Sequence, residues 1–169
     1  MNNAEEAEFR DYVAGRLESL RRAAFLMCRD WHGADDLVGI TLGRLYRHWS
    51  RAREADSLDA YVHGMLAHAF LDEQRRPWRR ERADIAAMPE RAASESATDG
   101  IHDRADILTL IRRLPARRRA VVVLRFYCDL SVGQTAEALG LAEGTVKSQC
   151  ARALETLREL MTSDGKAGK

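Results

Sequence analysis

At 169 residues the chain has room for one medium domain or two small ones, and its 31% charged and 46% apolar residues suit a soluble globular protein. No run of eighteen apolar residues occurs, so no membrane-spanning helix or membrane insertion is expected, and the acidic start (Glu5, Glu6, Glu8) lacks an apolar signal core, which makes the cytoplasm the expected location. The net charge of +1 hides a segregation: residues 1–80 carry 13 basic and 13 acidic side chains, 81–106 carry 3 and 7, and 107–169 carry 11 and 6, so a basic C-terminal third follows an acidic middle, as in a polyanion-binding module on a tether.

From Glu5 to about Cys28 the apolar or small residues Phe9, Tyr12, Val13, Leu17, Leu20, Ala24 and Met27 recur at three-and-four spacing, which predicts an amphipathic helix. A turn over 30–33 leads to a second helix from about Ala34 to Trp49, with Leu37, Val38, Thr41, Leu42, Leu45, Tyr46 and Trp49 on one side. The polar stretch 50–56 interrupts the pattern. Asp56 or Ser57 then caps a third helix, whose stripe is Leu58, Tyr61, Val62, Met65, Leu66, Ala69 and Phe70 and which Pro77 ends or kinks. Three such helices make one bundle, a domain over residues 1–82. Over 83–103 periodicity fades among alanines, charges, serines, Pro89 and Gly100, the composition of a flexible acidic linker. A second helical domain, 104–162, opens with Ile107, Leu108, Ile111 and Leu114, and Pro115 fits the first turn of the next helix, which reaches about Tyr127. Residues 163–169 read as a disordered tail. No strand-type alternation persists, so the fold class is all-α, two small helical domains joined by a linker.

The sharpest local signal lies in the second domain. Ser131-Val132-Gly133-Gln134 is a capping box, in which the serine hydroxyl and the glutamine amide satisfy each other's exposed N–H groups. A short helix through Ala136 and Leu139 follows, then Gly140, where a sharp turn needs positive φ. A last helix from about Gly144 to Leu160 turns Val146, Cys150, Ala153, Leu154 and Leu157 inward and Thr145, Lys147, Ser148, Gln149 and Arg152 outward. Short polar and basic side chains at the N-terminal half of such a helix suit base edges and phosphates in a major groove, so this is a helix-turn-helix. An ordinary helical hairpin with a solvated face is the plainer alternative, and the basic balance of this third favours DNA.

Arg75, Arg76, Arg79 and Arg80 bracket Pro77 and Trp78, a compact phosphate-binding cluster; balancing a negative helix terminus is the plainer alternative. His63 and His68 fall on the less apolar side of the third helix, where nucleic acid would run. Tyr46, Trp49 and Tyr61 are candidates for stacking on bases, but their spacing favours core positions, and Trp78 is the better candidate. Cys28, Cys128 and Cys150 are isolated from one another and contain no Cys-x-x-Cys pair, so they read as apolar thiols. Cys28 with His32, and His63 with His68, lack a third ligand, so neither a metal nor a cofactor is expected, and the chain is not expected to be an enzyme.

The stretch from Leu114-Pro115-Ala116-Arg117 to Gly144-Thr145-Val146-Lys147-Ser148 resembles region 4 of bacterial sigma factors. Residues 30–38, beginning Asp30-Trp31-His32-Gly33, resemble the start of region 2.2. Ser57-Leu58-Asp59-Ala60-Tyr61-Val62 and Phe70-Leu71-Asp72-Glu73-Gln74-Arg75-Arg76 are similar to regions 2.3 and 2.4. Two blocks in the family's order and spacing identify the chain as a member of the sigma-70 family, of its extracytoplasmic-function (ECF) subfamily. The resemblance implies docking of Asp35, Asp36, Leu37, Gly39 and Ile40 on the β′ clamp helices of core RNA polymerase, and contact of region 4 with the β flap. It implies opening of the −10 element by His63, His68, Arg75, Arg76, Trp78, Arg79 and Arg80, with a flipped base held in the loop 51–57. Thr145, Lys147, Ser148, Gln149 and Arg152 would read the −35 duplex, and an anti-sigma factor would be a natural partner.

Some residues depart from the family pattern. Gly39-Ile40 stands where glutamine and an acid are usual, which bears on the clamp contact; with Gly43 it suggests an adapted docking surface. His68 replaces a frequent asparagine, Ala142 a capping serine and Gln149 a frequent arginine, which bears on the sequence preferred. A helix-turn-helix regulator that binds operators, and a sigma-like decoy that holds polymerase without initiating, are the competing readings.

Overall fold

A computed structural model of the chain describes residues 1–76 and 102–166. Pro77, Trp78, Arg79, Arg80 and the expected linker up to residue 101 lie outside them. The regular structure of the described residues is helical throughout.

Helix α1 (Asn3–Cys28) starts at a capping box, with the Glu5 N–H donating to Asn2 Oδ1 at 2.9 Å and the Asn2 N–H to Glu5 Oε2 at 3.1 Å. It ends at Arg29, whose φ of 77° is left-handed, a conformation costing a non-glycine residue roughly 1–2 kcal/mol. Helix α2 (Trp31–Arg47) begins three residues earlier than expected because the Asp30 carboxylate accepts the Gly33 N–H. A short helical turn, α3 (Trp49–Ala52), occupies part of the predicted break and buries Trp49. Ser57 caps α4 (Leu58–Gln74) by accepting the Ala60 N–H at 3.2 Å. Leu20, Ala24, Met27, Leu37, Leu45, Val62, Leu66 and Phe70 fill the centre of this bundle, each large side chain contributing about 1.5–3 kcal/mol.

The second unit holds α5 (His102–Arg112), α6 (Ala116–Val122), α7 (Val132–Leu139) and α8 (Glu143–Lys166). Pro115 caps α6 rather than sitting in its first turn. Beyond α6 the chain widens into a π-helical turn, Val123–Tyr127, closed by the Cys128 N–H on the Val123 carbonyl at 3.0 Å. Burial pushes the Cys128 thiol up to about 12, so it stays protonated, in keeping with an apolar thiol. Helix α8 continues through Lys166, so residues 163–166 are helical and not the expected tail.

Beyond the sequence expectation of two helical units, the two pack on each other. Ala120, Val123, Leu124 and Leu130 of the second belong to the same buried cluster as Leu20, Met27 and Phe70 of the first. Helices α6 and α7 and the π-helical turn lie against α4.

Candidate nucleic-acid interface

Helix α8 is held by its inner face. Val146 is buried with Val121 and Ala136, and Ala153 with Leu114 and Val122. The turn ahead of it is built as its residues predict. The Gln134 N–H donates to Ser131 Oγ at 3.0 Å and the Ser131 N–H to Gln134 Oε1 at 2.9 Å. Gly140 adopts φ 63°, and the Leu141 N–H closes the turn on the Ala136 carbonyl at 2.9 Å. Thr145, Lys147, Ser148 and Arg152 are all exposed on the opposite face. Gln149 is only half-exposed, and its Oε1 accepts from Arg118 Nε at 3.1 Å. Arg118 thereby joins this face from α6; the Arg117-Arg118-Arg119 run is the sequence signal that could have revealed it. Leu154, expected inside, is 42% exposed.

On the first unit, the loop between α3 and α4 is braced from outside. Arg53 bridges Glu5 at 3.2 Å and Glu8 at 3.0 Å, and Asp59 accepts from Tyr12 Oη at 2.9 Å and Arg16 Nε at 3.0 Å. Burial pushes the Asp59 carboxyl up, but these two donors more than offset it and hold the group below its ordinary value. Such a depressed carboxyl adds stability above the unfolded pKa of ~3.9, and that stability is lost as pH falls through the lower folded value. Because the Asp59 side chain is 44% exposed, solvent screening limits the effect. Asp59→Asn is expected to lower stability at pH 7 by about 1 kcal/mol and to cost much less at pH 3, as read by thermal melts at both values.

The loop and the start of α4 line a cavity of about 780 Å³, with Arg51, Asp56, Ser57, Tyr61 and His68 on one wall and Gln134 and Glu137 of α7 on the other. His68, Arg75 and Arg76 are exposed, Arg76 Nε lying 3.4 Å from Glu73 Oε1. His63 departs from its expected place. It is 8% exposed, with Nδ1 2.7 Å from the Asp59 carbonyl oxygen, and burial lowers its pKa. It packs inside the bundle instead of facing nucleic acid. Trp49 is likewise core, edge-on to Phe9 at 5.3 Å, whereas Tyr46 is 47% exposed.

Along α2, Asp36 and Gly39 are exposed and Ile40 half-exposed, and a Cβ at Gly39 or Gly43 would meet nothing within 4 Å. Leu37 is buried in the core, so it anchors this surface and offers no contact of its own. Asp35 is engaged by Arg21 Nε at 2.7 Å, a bond that holds its carboxyl below the ordinary range. Arg21 also covers Trp31, which stacks on Phe25 with centroids 4.1 Å apart.

These two surfaces coincide with two family descriptions: Sigma-70 region 2 matches residues 13–80, and Sigma-70, region 4 matches residues 104–157. The RNA polymerase sigma-E factor of Streptomyces coelicolor is 35% identical over 92% of this chain and 86% of its own length. The chain belongs to the sigma-70 family. Its ECF character is carried by the ECF RNA polymerase sigma factor SigM of Mycobacterium tuberculosis, 31% identical over 84% of this chain and 71% of that relative. A co-crystal structure of the sigma factor RpoE with the anti-sigma factor NepR from Bartonella quintana superimposes with a TM-score of 0.76 at 26% identity, covering 93% of this chain and 98% of that one. The first unit is thus region 2 and the second region 4 of an ECF sigma factor. Among the described residues no helix is long and apolar enough to cross a membrane.

Proposed function

We propose that this sigma factor binds core RNA polymerase, reads the −35 element with α8 and opens the −10 element with region 2. The observation that carries the reading is the division of α8, with Val146 and Ala153 fully buried while Thr145, Lys147, Ser148 and Arg152 project on one exposed face. Arg118 holds the Gln149 oxygen, which leaves the Gln149 amide as a donor beside that face. The α3–α4 loop with Tyr61 and His68 is assigned to the flipped −10 base, and Arg75 and Arg76, continued by Trp78, Arg79 and Arg80, to the strand beyond it. Asp36, Gly39 and Ile40 form the polymerase-facing side of α2, with Asp35 set by Arg21. The protein acts in the cytoplasm as a binding subunit without catalytic residues of its own. The likeness to RpoE in its complex with NepR supports control by an anti-sigma factor.

Run-off transcription with core polymerase, with and without this protein, on genomic fragments tests the reading: new discrete start sites are expected, and none from a folded protein would leave a decoy. For α8, Lys147→Ala and Arg152→Ala are each expected to weaken −35 duplex binding and to reduce the slope of log K against log salt by about 0.9. An unchanged slope in a salt titration would remove that residue from the phosphate contacts.

A further inference from the structure

We propose that Arg118 is a phosphate contact of region 4 on the −35 element, and that Gln149 is the residue that positions it. The inference rests on the reading of α8 as the recognition helix and adds to it a cation from a different helix. Arg118 stands in α6, 31 residues from Gln149 along the chain, and its Nε donates to Gln149 Oε1 at 3.1 Å. Arg16, Arg21 and Arg53 of region 2 each meet a carboxylate, at 3.0, 2.7 and 3.0 Å. Arg118 is held instead by a neutral amide, a bond that fixes its direction and leaves its charge uncompensated. A guanidinium carries five N–H donors in a planar fork. Gln149 takes the one on Nε, and those on Nη1 and Nη2 remain. With its oxygen turned to Arg118, Gln149 adds its amide N–H donors alongside. The pair offers a positively charged edge rich in donors, the complement of a phosphodiester oxygen, which can only accept.

The place of the pair on region 4 favours the backbone over the bases. At about 100° per residue, Val146 and Cys150 each stand roughly 160° round the helix from Ser148, while Lys147 and Gln149 stand about 100° to either side of it. Val146 is fully buried, Cys150 half-buried and Ser148 exposed, so Ser148 marks the middle of the outer face. A helix lying in a major groove has a phosphate backbone along each flank. Lys147 serves one flank. On the other, Gln149 is neutral and only half-exposed, and the positive charge comes from Arg118. Within the run Arg117-Arg118-Arg119 the first arginine is exposed and the last buried, and the middle one reaches α8. Because the bond already holds the guanidinium in the free protein, less side-chain freedom is lost when DNA arrives.

The test is a salt titration of the full chain against two duplexes. One carries the −35 element of a promoter found by run-off transcription, and the other has that element scrambled. Arg118→Ala should weaken binding to both by the same factor, about five- to tenfold near ~0.1 M salt, and reduce the slope of log K against log salt by about 0.9 on each. Arg118→Lys keeps the charge and should keep the slope, which separates a lost phosphate contact from a lost fold. Gln149→Ala removes no charge, so the slope and the ranking of base substitutions within the element should match the wild type. Its affinity should fall about threefold on both duplexes, because the guanidinium is no longer held. In the Arg118→Ala background the same substitution should have no further effect. An unchanged slope for Arg118→Ala, or an equal fall for Arg118→Lys, overturns the inference and leaves the −35 reading standing while the wild type prefers its element. A new base ranking for Gln149→Ala makes that residue a base reader and overturns its positioning role. A wild type that binds both duplexes equally overturns the −35 reading and the inference with it.

Discussion

Phe70→Ala is expected to lower the unfolding free energy by about 3–5 kcal/mol, the cost of emptying a large aromatic site in a packed core. Phe70 is 1% exposed, and the cluster around it draws Leu20, Met27 and Leu66 from region 2 and Ala120, Val123 and Leu124 from region 4. Its ring also lies under the Arg119 guanidinium, so removing it takes away a cation–π contact worth about 0.5–2 kcal/mol. A domain of ordinary stability holds ~5–15 kcal/mol in all, so the variant should unfold at a much lower urea concentration. Because the site is shared, region 4 should loosen along with region 2. Urea titrations followed by circular dichroism, with tryptophan fluorescence as a region 2 probe because Trp31, Trp49 and Trp78 all lie within residues 13–80, would show both changes. A loss below about 1 kcal/mol would mean that the site collapses around the missing ring or that the two units do not share this core.

The helices, their caps and the helix-turn-helix were legible because each is local. Ser57, Ser131 with Gln134, and Gly140 act within four residues of where they stand, and each performs the predicted task. Leu17 and Leu154 show the limit of periodicity. Each lies eight residues beyond a residue of its stripe, Phe9 and Val146, which at 100° per residue is roughly 80° round the helix. Both sit at the stripe's edge and are 42% exposed. His63 shows a second limit, since helical spacing says which residues share a side but not which neighbour covers it. The bonds of Asp59 to Tyr12 and Arg16 span 47 and 43 residues, and no local pattern announces them. The seam between α4 and α7 was least legible of all. It depends on small residues, Gly64 and Ala138, which carry no hydrophobic signal and matter only through the closeness they permit.

Val146→Asp and Lys147→Ala, one residue apart, should fail in opposite ways. Val146 is fully buried between Val121 and Ala136, with Leu139, Leu141 and Cys150 packed around them. Arg125 reaches Cys150 at the side of that shell, but a carboxylate at 146 would lose its water among apolar side chains, and its burial should cost region 4 about 3–5 kcal/mol. At pH 7 the helix-turn-helix is then expected to unfold locally, with loss of helical signal from α7 and α8 and of −35 binding at every salt concentration. Lowering the pH neutralises the aspartate and should restore part of the fold, the direction expected for a buried acid. Lys147 is exposed, so its truncation should change stability by no more than about 0.5 kcal/mol while reducing the salt slope of binding. Circular dichroism paired with −35 duplex titrations separates the two. If Val146→Asp stayed folded yet lost DNA binding, position 146 would face the groove, and the inner and outer faces of α8 would have to be reassigned.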